Sequence, residues 1–162
     1  MKGILQAGLK SEDLSALDHA LRGLAVLGDQ DIANSDKICS FLESKIVLDS
    51  ETLFHIGKAA GVLKCDFQLP DGVREKLDSN IVGTSSVSEL FFSSGALSSL
   101  GFGLDARKVL RALNSALKKE DSIIALGQAF HIAALLDGDV SSIFDRIEDA
   151  IVQADQVSIK IN

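Results

Sequence analysis

Leu17, Leu53, Leu90 and Leu126 follow one another at intervals of 36, 37 and 36 residues, and Leu27, Leu63, Leu100 and Leu136 repeat those intervals ten residues later. A recurrence of that length matches one helix-turn-helix unit, because two helices of roughly a dozen residues with two short connections use about 35 residues. Between the ladders, Leu24, Ala60, Leu97 and Ala133 recur in step, and the positions just before them read Gly23, Ala59, Ala96 and Ile132. Small side chains there let neighbouring helices approach closely. The spacing predicts four helical hairpins over about 11–46, 49–80, 85–118 and 121–155, joined in a single domain spanning 1–162. Stacked in order, tandem α-hairpin repeats of about 36 residues each form an α/α superhelix or a partial toroid.

Composition agrees with that reading. The 162 residues are 46% hydrophobic and 24% charged, enough to bury a sizeable core. One proline, no Trp, no Tyr and few β-branched runs flanked by turn signals leave no material for a sheet, so an all-α class is expected. A formal charge of −7 with scattered basic residues argues against nucleic acid or an anionic membrane as partner, since both attract clustered Lys and Arg. No apolar run approaches the roughly 18 residues needed to cross a bilayer, and residues 1–10 lack the apolar core of a signal peptide. The chain is therefore expected to be either cytosolic or a piece of a larger protein. Cys39 and Cys65 are open to two readings, a pair of buried thiols or one disulfide, and spacing alone does not choose.

Local signals place the helices. Ser11, followed by Glu12 and Asp13, reads as an N-cap for a helix that buries Leu14, Leu17, Leu21, Leu24 and Leu27 and stops at Gly28. A second helix from Asn34 or Ser35 buries Ile38, Phe41 and Leu42. Asp49 or Ser50 opens the next, with Leu53, Ile56, Ala60 and Leu63 inward, and its partner carries Val73 and Leu77 after the Leu69-Pro70-Asp71-Gly72 break. Ser86 and Glu89 have capping-box spacing ahead of Val87, Leu90, Leu97 and Leu100. An amphipathic helix over 106–117 puts Val109, Leu110, Leu113 and Leu117 inward and Arg107, Lys108 and Arg111 outward. The last hairpin starts at Asp121, buries Ile123, Leu126, Phe130, Ala133 and Leu136, turns at Asp137-Gly138-Asp139 and returns through Ile143, Ile147 and Ile151. The tail over 157–161 alternates like a short strand.

Candidate chemistry is sparse. His19 and His55 hold the same place in successive units and are expected to face one surface about one repeat apart, but no Cys/His cluster has zinc spacing. Gly101-Phe102-Gly103-Leu104-Asp105-Ala106 fits the Gly-x-Gly-x-x-Ala dinucleotide pattern in form only, because a leucine-striped helix, not a strand, precedes it. The serines over 85–99 lack a nucleophile-elbow pattern, and Asp137 with Asp139 lacks the other ligands of a calcium loop. Phe91 and Phe92 point about 100 degrees apart on a helix, so one of them is expected to be exposed and to mark a contact surface. No catalytic, cofactor or metal site is expected.

Four stretches carry a likeness: Gly23-Leu24-Ala25-Val26-Leu27-Gly28, the Cys39 and Cys65 pair, Leu97-Ser98-Ser99-Leu100-Gly101-Phe102-Gly103-Leu104, and Arg146-Ile147-Glu148-Asp149-Ala150. Through them the chain resembles the N-terminal lumenal region of the ribophorin II family, non-catalytic subunits of the eukaryotic oligosaccharyltransferase complex. The resemblance implies a helical array in the endoplasmic reticulum lumen, within a larger membrane protein, that supports N-glycosylation without an active site of its own. Its partners would be other oligosaccharyltransferase subunits and passing nascent polypeptides, with no nucleic acid, no cofactor and no membrane contact by this segment. An oxidising lumen would favour the Cys39–Cys65 disulfide. Two rivals come from other classes: an α/α-toroid enzyme or ligand carrier, and a cytosolic solenoid adaptor, which would keep both cysteines reduced.

Overall fold

A computed structural model describes residues 2–28, 32, 34–66, 68–120, 122–137 and 140–159, and within the last helix the side chains of 150, 151 and 153–159 lie outside the description. Among the described residues there are nine helices and no strand. They are α1 (Lys2–Gly8), α2 (Leu14–Val26), α3 (Ser35–Ser44), α4 (Ser50–Leu63), α5 (Val73–Ser79), α6 (Val87–Ser99), α7 (Ala106–Ala116), α8 (Ile123–Ala134) and α9 (Ser141–Ile159).

Short-range chemistry sets the helix starts. Asp13, Asp49, Asp105 and Ser122 each sit in extended backbone and accept the N–H three residues on, satisfying a donor that the first turn leaves free. Ser86 and Glu89 complete the full capping box. Ser11 is not the cap of α2: its hydroxyl accepts from the Asp13 N–H, and Asp13 does the capping instead, because an acceptor must sit directly before the first helical residue. Gly28 ends that segment in the left-handed region at φ +74°, where a Cβ would be strained. The short helix α1 lies ahead of the leucine ladder and follows no repeat signal. The strand-like alternation over 157–161 is overruled as far as the description reaches, since α9 remains helical to Ile159 and residues 160 and 161 lie outside it. Asp121, Gly138 and Asp139 also lie outside it.

The even-numbered helices α2, α4, α6 and α8 pack one on the next and form a row. The odd-numbered ones flank it. The order of the flanks departs from simple hairpins at the start of the chain, since α3 packs chiefly on α4 and α5 on α6, whereas α7 returns to α6 and α9 to α8. Two apolar clusters meet at α4. Leu17, Leu21, Ile38, Leu42, Ile56 and Ala59 form the first, and Leu53 and Phe54 join the second, which runs on through Leu90, Leu97, Leu113 and Ile132 to Ile143. Cys39 of α3 and Cys65, just past α4, are joined by a disulfide with their Cα atoms 5.5 Å apart.

The two leucine ladders differ in burial. In the lower one Leu17, Leu53 and Leu90 are buried and Leu126 is half-buried, while in the upper one Leu27 is exposed, Leu63 and Leu100 are half-buried and Leu136 is buried. On α8 the expected inward residues Ile123 and Phe130 are 84% and 52% exposed, Ala133 is buried as expected, and Ala125, Ala129 and Ile132 are buried as well. That helix carries no Asp, Glu, Lys or Arg from Ile123 to Ala134, so its own pattern only weakly selects an inward face.

Candidate functional site

Asp18 lies on α2 between Leu17 and Leu21, and its side chain is fully buried. Removing a carboxylate from water is costly unless its oxygens are bonded by charged or polar donors. Arg22, one turn on, donates from Nε to Oδ1 at 2.7 Å and from Nη2 to Oδ2 at 3.0 Å, a bidentate fork. His55 of α4 donates from Nδ1 to Oδ2 at 2.9 Å across 37 residues. The three side chains bolt the first helix of the row to the second.

Rings extend this cluster along the row. His19 holds its Nδ1 2.6 Å from the Ser15 carbonyl oxygen and its ring centroid 6.1 Å from that of His55. Phe54 stands edge-on to His55 at 5.2 Å, touches Phe91 at 5.0 Å and Phe92 at 5.5 Å, and Phe91 meets His131 of α8 at 5.2 Å. A continuous series of imidazole and phenyl rings therefore crosses all four helices of the row. Phe54 fits because Gly95 of α6 leaves its place free: a Cβ there would fall 2.5 Å from the Phe54 ring. Phe91 and Phe92 consequently divide their burial. Both are half-buried against Phe54, and neither turns fully outward.

Three basic groups occupy one register position, Arg22, Lys58 and His131, with Gly95 in the α6 place. Lys58 lies with Nζ 5.6 Å from the Phe54 ring centre. Burial, and then the Arg22 guanidinium, hold its pKa below the ordinary lysine value, with Asp18 acting the other way. His131 is held below 6.5 by burial first and then by the charges of Lys58 and Arg22. Its Nε2 is buried with no hydrogen-bond partner among the described residues, as suits a neutral ring.

Asp18, His19 and His55 place ligand-type atoms within 4.8 Å of one another. Both Asp18 oxygens already accept from Arg22 or His55, so a cation would have to displace the guanidinium, and Lys58 adds like charge nearby. The arrangement is that of a neutralised joint. The Ser15 hydroxyl lies 3.5 Å from Nδ1 of His19, not of the Asp18-bonded His55, and that nitrogen bonds the Ser15 carbonyl oxygen more closely. Gly101 to Gly103 form the connection after α6, with Gly101 at φ +80° and the Phe102 N–H bonded to the Leu97 carbonyl, so the dinucleotide fingerprint is a helix terminus. A cavity of about 770 Å³ lies between α1, α2 and α3, floored by Leu17, Leu24, Ile38 and Phe41.

Sequence spacing pairs His19 with His55, and the structure brings them together. It does not reveal Asp18, since Asp18 and Arg22 at one-turn spacing look like a surface ion pair. The visible signal was position, an acid on the leucine face of α2.

Comparison with known proteins decides the family. Residues 1–161 match the family described as the ribophorin II N-terminal domain. The chain belongs to the ribophorin II family. A rice relative (Oryza sativa subsp. japonica), named dolichyl-diphosphooligosaccharide–protein glycosyltransferase subunit 2, is 35% identical over 95 residues, which are 54% of this chain and 14% of that protein. The alignment thus spans a small part of the length of that ribophorin II relative. Among the described residues no helix is long and apolar enough to cross a membrane.

Proposed function

We propose that this ribophorin II domain is a non-catalytic scaffold of the oligosaccharyltransferase complex, acting in the endoplasmic reticulum lumen to support protein N-glycosylation. The observation that carries the reading is the family match along residues 1–161. The name of the rice relative, a subunit of a dolichyl-diphosphooligosaccharide–protein glycosyltransferase, supports the same complex here. In this reading the 36-residue units form an α/α superhelix or partial toroid within the one domain 1–162, with tandem α-hairpins at α6–α7 and α8–α9 and flanks shifted by one helix before them, for which the row of α2, α4, α6 and α8 is the supporting feature. The Asp18, Arg22 and His55 cluster is a structural joint, and the surface flanking the half-buried Phe91 and Phe92, with Lys58 and His131 beside them, is the face that meets other subunits or passing polypeptide.

The test is affinity purification of the protein, tagged at its own gene, from gently solubilised membranes. Oligosaccharyltransferase subunits are expected at near-stoichiometric yield. Recovery of soluble cytosolic proteins alone, or of no partner, would overturn the proposal.

A further inference from the structure

His19 and His55 carry the outer hydrogen bonds that metal-bound histidines use. Each commits Nδ1 to an acceptor, His55 to the Asp18 carboxylate at 2.9 Å and His19 to the Ser15 carbonyl oxygen at 2.6 Å. Those bonds place the proton on Nδ1, leave the lone pair on Nε2 and hold each ring in orientation. Neither Nε2 has a hydrogen-bond partner among the described residues. His55 is only 7% exposed, yet its ring borders a pocket of about 360 Å³ that Glu12, Ser15 and Glu51 also line. A buried ring nitrogen with no partner in the protein, beside a pocket, is a group that a ligand would satisfy.

The two rings come from neighbouring helices of the row, with centroids 6.1 Å apart, and a nitrogen of each lies within 4.8 Å of the other. Two imidazoles on one tetrahedral zinc ion hold their nitrogens about 3.3 Å apart, given Zn–N bonds of about 2.05 Å, so rotation of the exposed His19 ring closes the pair. Charge permits it. Arg22 is neutralised by both oxygens of Asp18, and Lys58 is drawn over the Phe54 ring. Around the pocket, Glu12, Asp13 and Glu51 stand against a single lysine, Lys45.

We propose that His19 and His55 bind a zinc ion through their Nε2 atoms, with Glu51 as a carboxylate ligand and water completing the tetrahedron. Glu51 is exposed one turn before His55 on α4, and it makes no hydrogen bond or ion pair among the described residues, so its side chain is free to swing onto the ion. A cation ligated by Asp18 itself would displace the guanidinium, but this one does not. Asp18 stays on Arg22 and serves as the outer carboxylate that orients His55. The ion adds a second tie between α2 and α4 beside the polar joint. Imidazole donors select zinc over calcium or magnesium, which take oxygen ligands. No local zinc motif marks the site, because the two histidines stand 36 residues apart in the chain. Cys39 and Cys65, the thiols that would compete for zinc, are joined to each other.

The experiment uses the full-length protein, purified in detergent, stripped with a chelator and equilibrated with zinc chloride alone. Bound zinc, counted by elemental mass spectrometry, should exceed that of His19→Ala by one ion per chain. His19 is exposed and belongs to neither apolar cluster, so its removal leaves the core intact. Carbethoxylation of the unmodified protein, mapped by peptide mass spectrometry, reads the same site without a substitution: zinc should protect His19 from the reagent. Equal zinc in the two proteins, or equal labelling of His19 with and without zinc, would overturn the proposal. Neither readout depends on whether glycosyltransferase subunits co-purify.

Discussion

The joint between α4 and α6 and the outer face of α8 use the same materials, a glycine beside a phenylalanine on an apolar helix, and reach opposite states. At the joint Gly95 lies under the Phe54 ring, and Phe54 is 4% exposed. On α8 Gly127 has open space above it and Phe130 is half in solvent. Neither helix owes its state to its own pattern. In a row of helices each member is buried by its neighbours, so the worth of a side chain depends on whether the next member is present.

The comparison breaks most visibly at the two phenylalanines. Phe54→Ala should lower stability by about 4 kcal/mol, from lost transfer energy and a ring-sized cavity, whereas Phe130→Ala should cost no more than about 1 kcal/mol. Urea unfolding of the two variants measures both, and similar losses would erase the distinction. Asp18→Ala should remove about 3 kcal/mol, toward the lower end for a broken buried pair because Arg22 keeps access to water. Replacing Cys39 and Cys65 together by alanine should lower stability by about 3 kcal/mol for a bridge spanning 26 residues, read in the same unfolding experiment.

The smallest effect comes from His131, where the ring series meets α8. Its folded pKa lies below 6.5, so the unfolded chain takes up the proton first as pH falls. The associated stability is present above 6.5 and is lost as pH drops through that value toward the folded one. Proton NMR should place the His131 midpoint below 6.5, and His131→Gln should flatten the stability difference between about pH 7 and about pH 5.5. A midpoint above 6.5 would contradict the burial of the ring and the like charge of Lys58 and Arg22 as what governs it.

Much of the fold was legible because its signals are local. The Ser86–Glu89 box, the Asp49 start and the Gly28 stop need only a few neighbouring residues, and the 36-residue ladder locates the row. The inward face of α8 was legible only in part, at Ala133 and Leu136, because a helix without Asp, Glu, Lys or Arg offers little polar side to point at water and Ile123 and Phe130 satisfy the leucine spacing as well as Ala125 and Ile132 do. The polar joint was legible only in part. His19 and His55 recur visibly, but Asp18 meets His55 across 37 residues, and its one mark in the sequence is its place on the leucine face of α2. Phe91 and Phe92 look like a split pair until Phe54, from another helix, accounts for both.

The most direct measurement is equilibrium urea unfolding of Gly95→Ala and Gly127→Ala, the same added methyl on two helices of one row. Gly95→Ala should lose about 1–3 kcal/mol, since the Phe54 ring must move, and Gly127→Ala should gain up to about 1 kcal/mol from better helix propensity in open space. Opposite signs would show that neighbours, not helix pattern, decide burial along the row. Equal signs would contradict it.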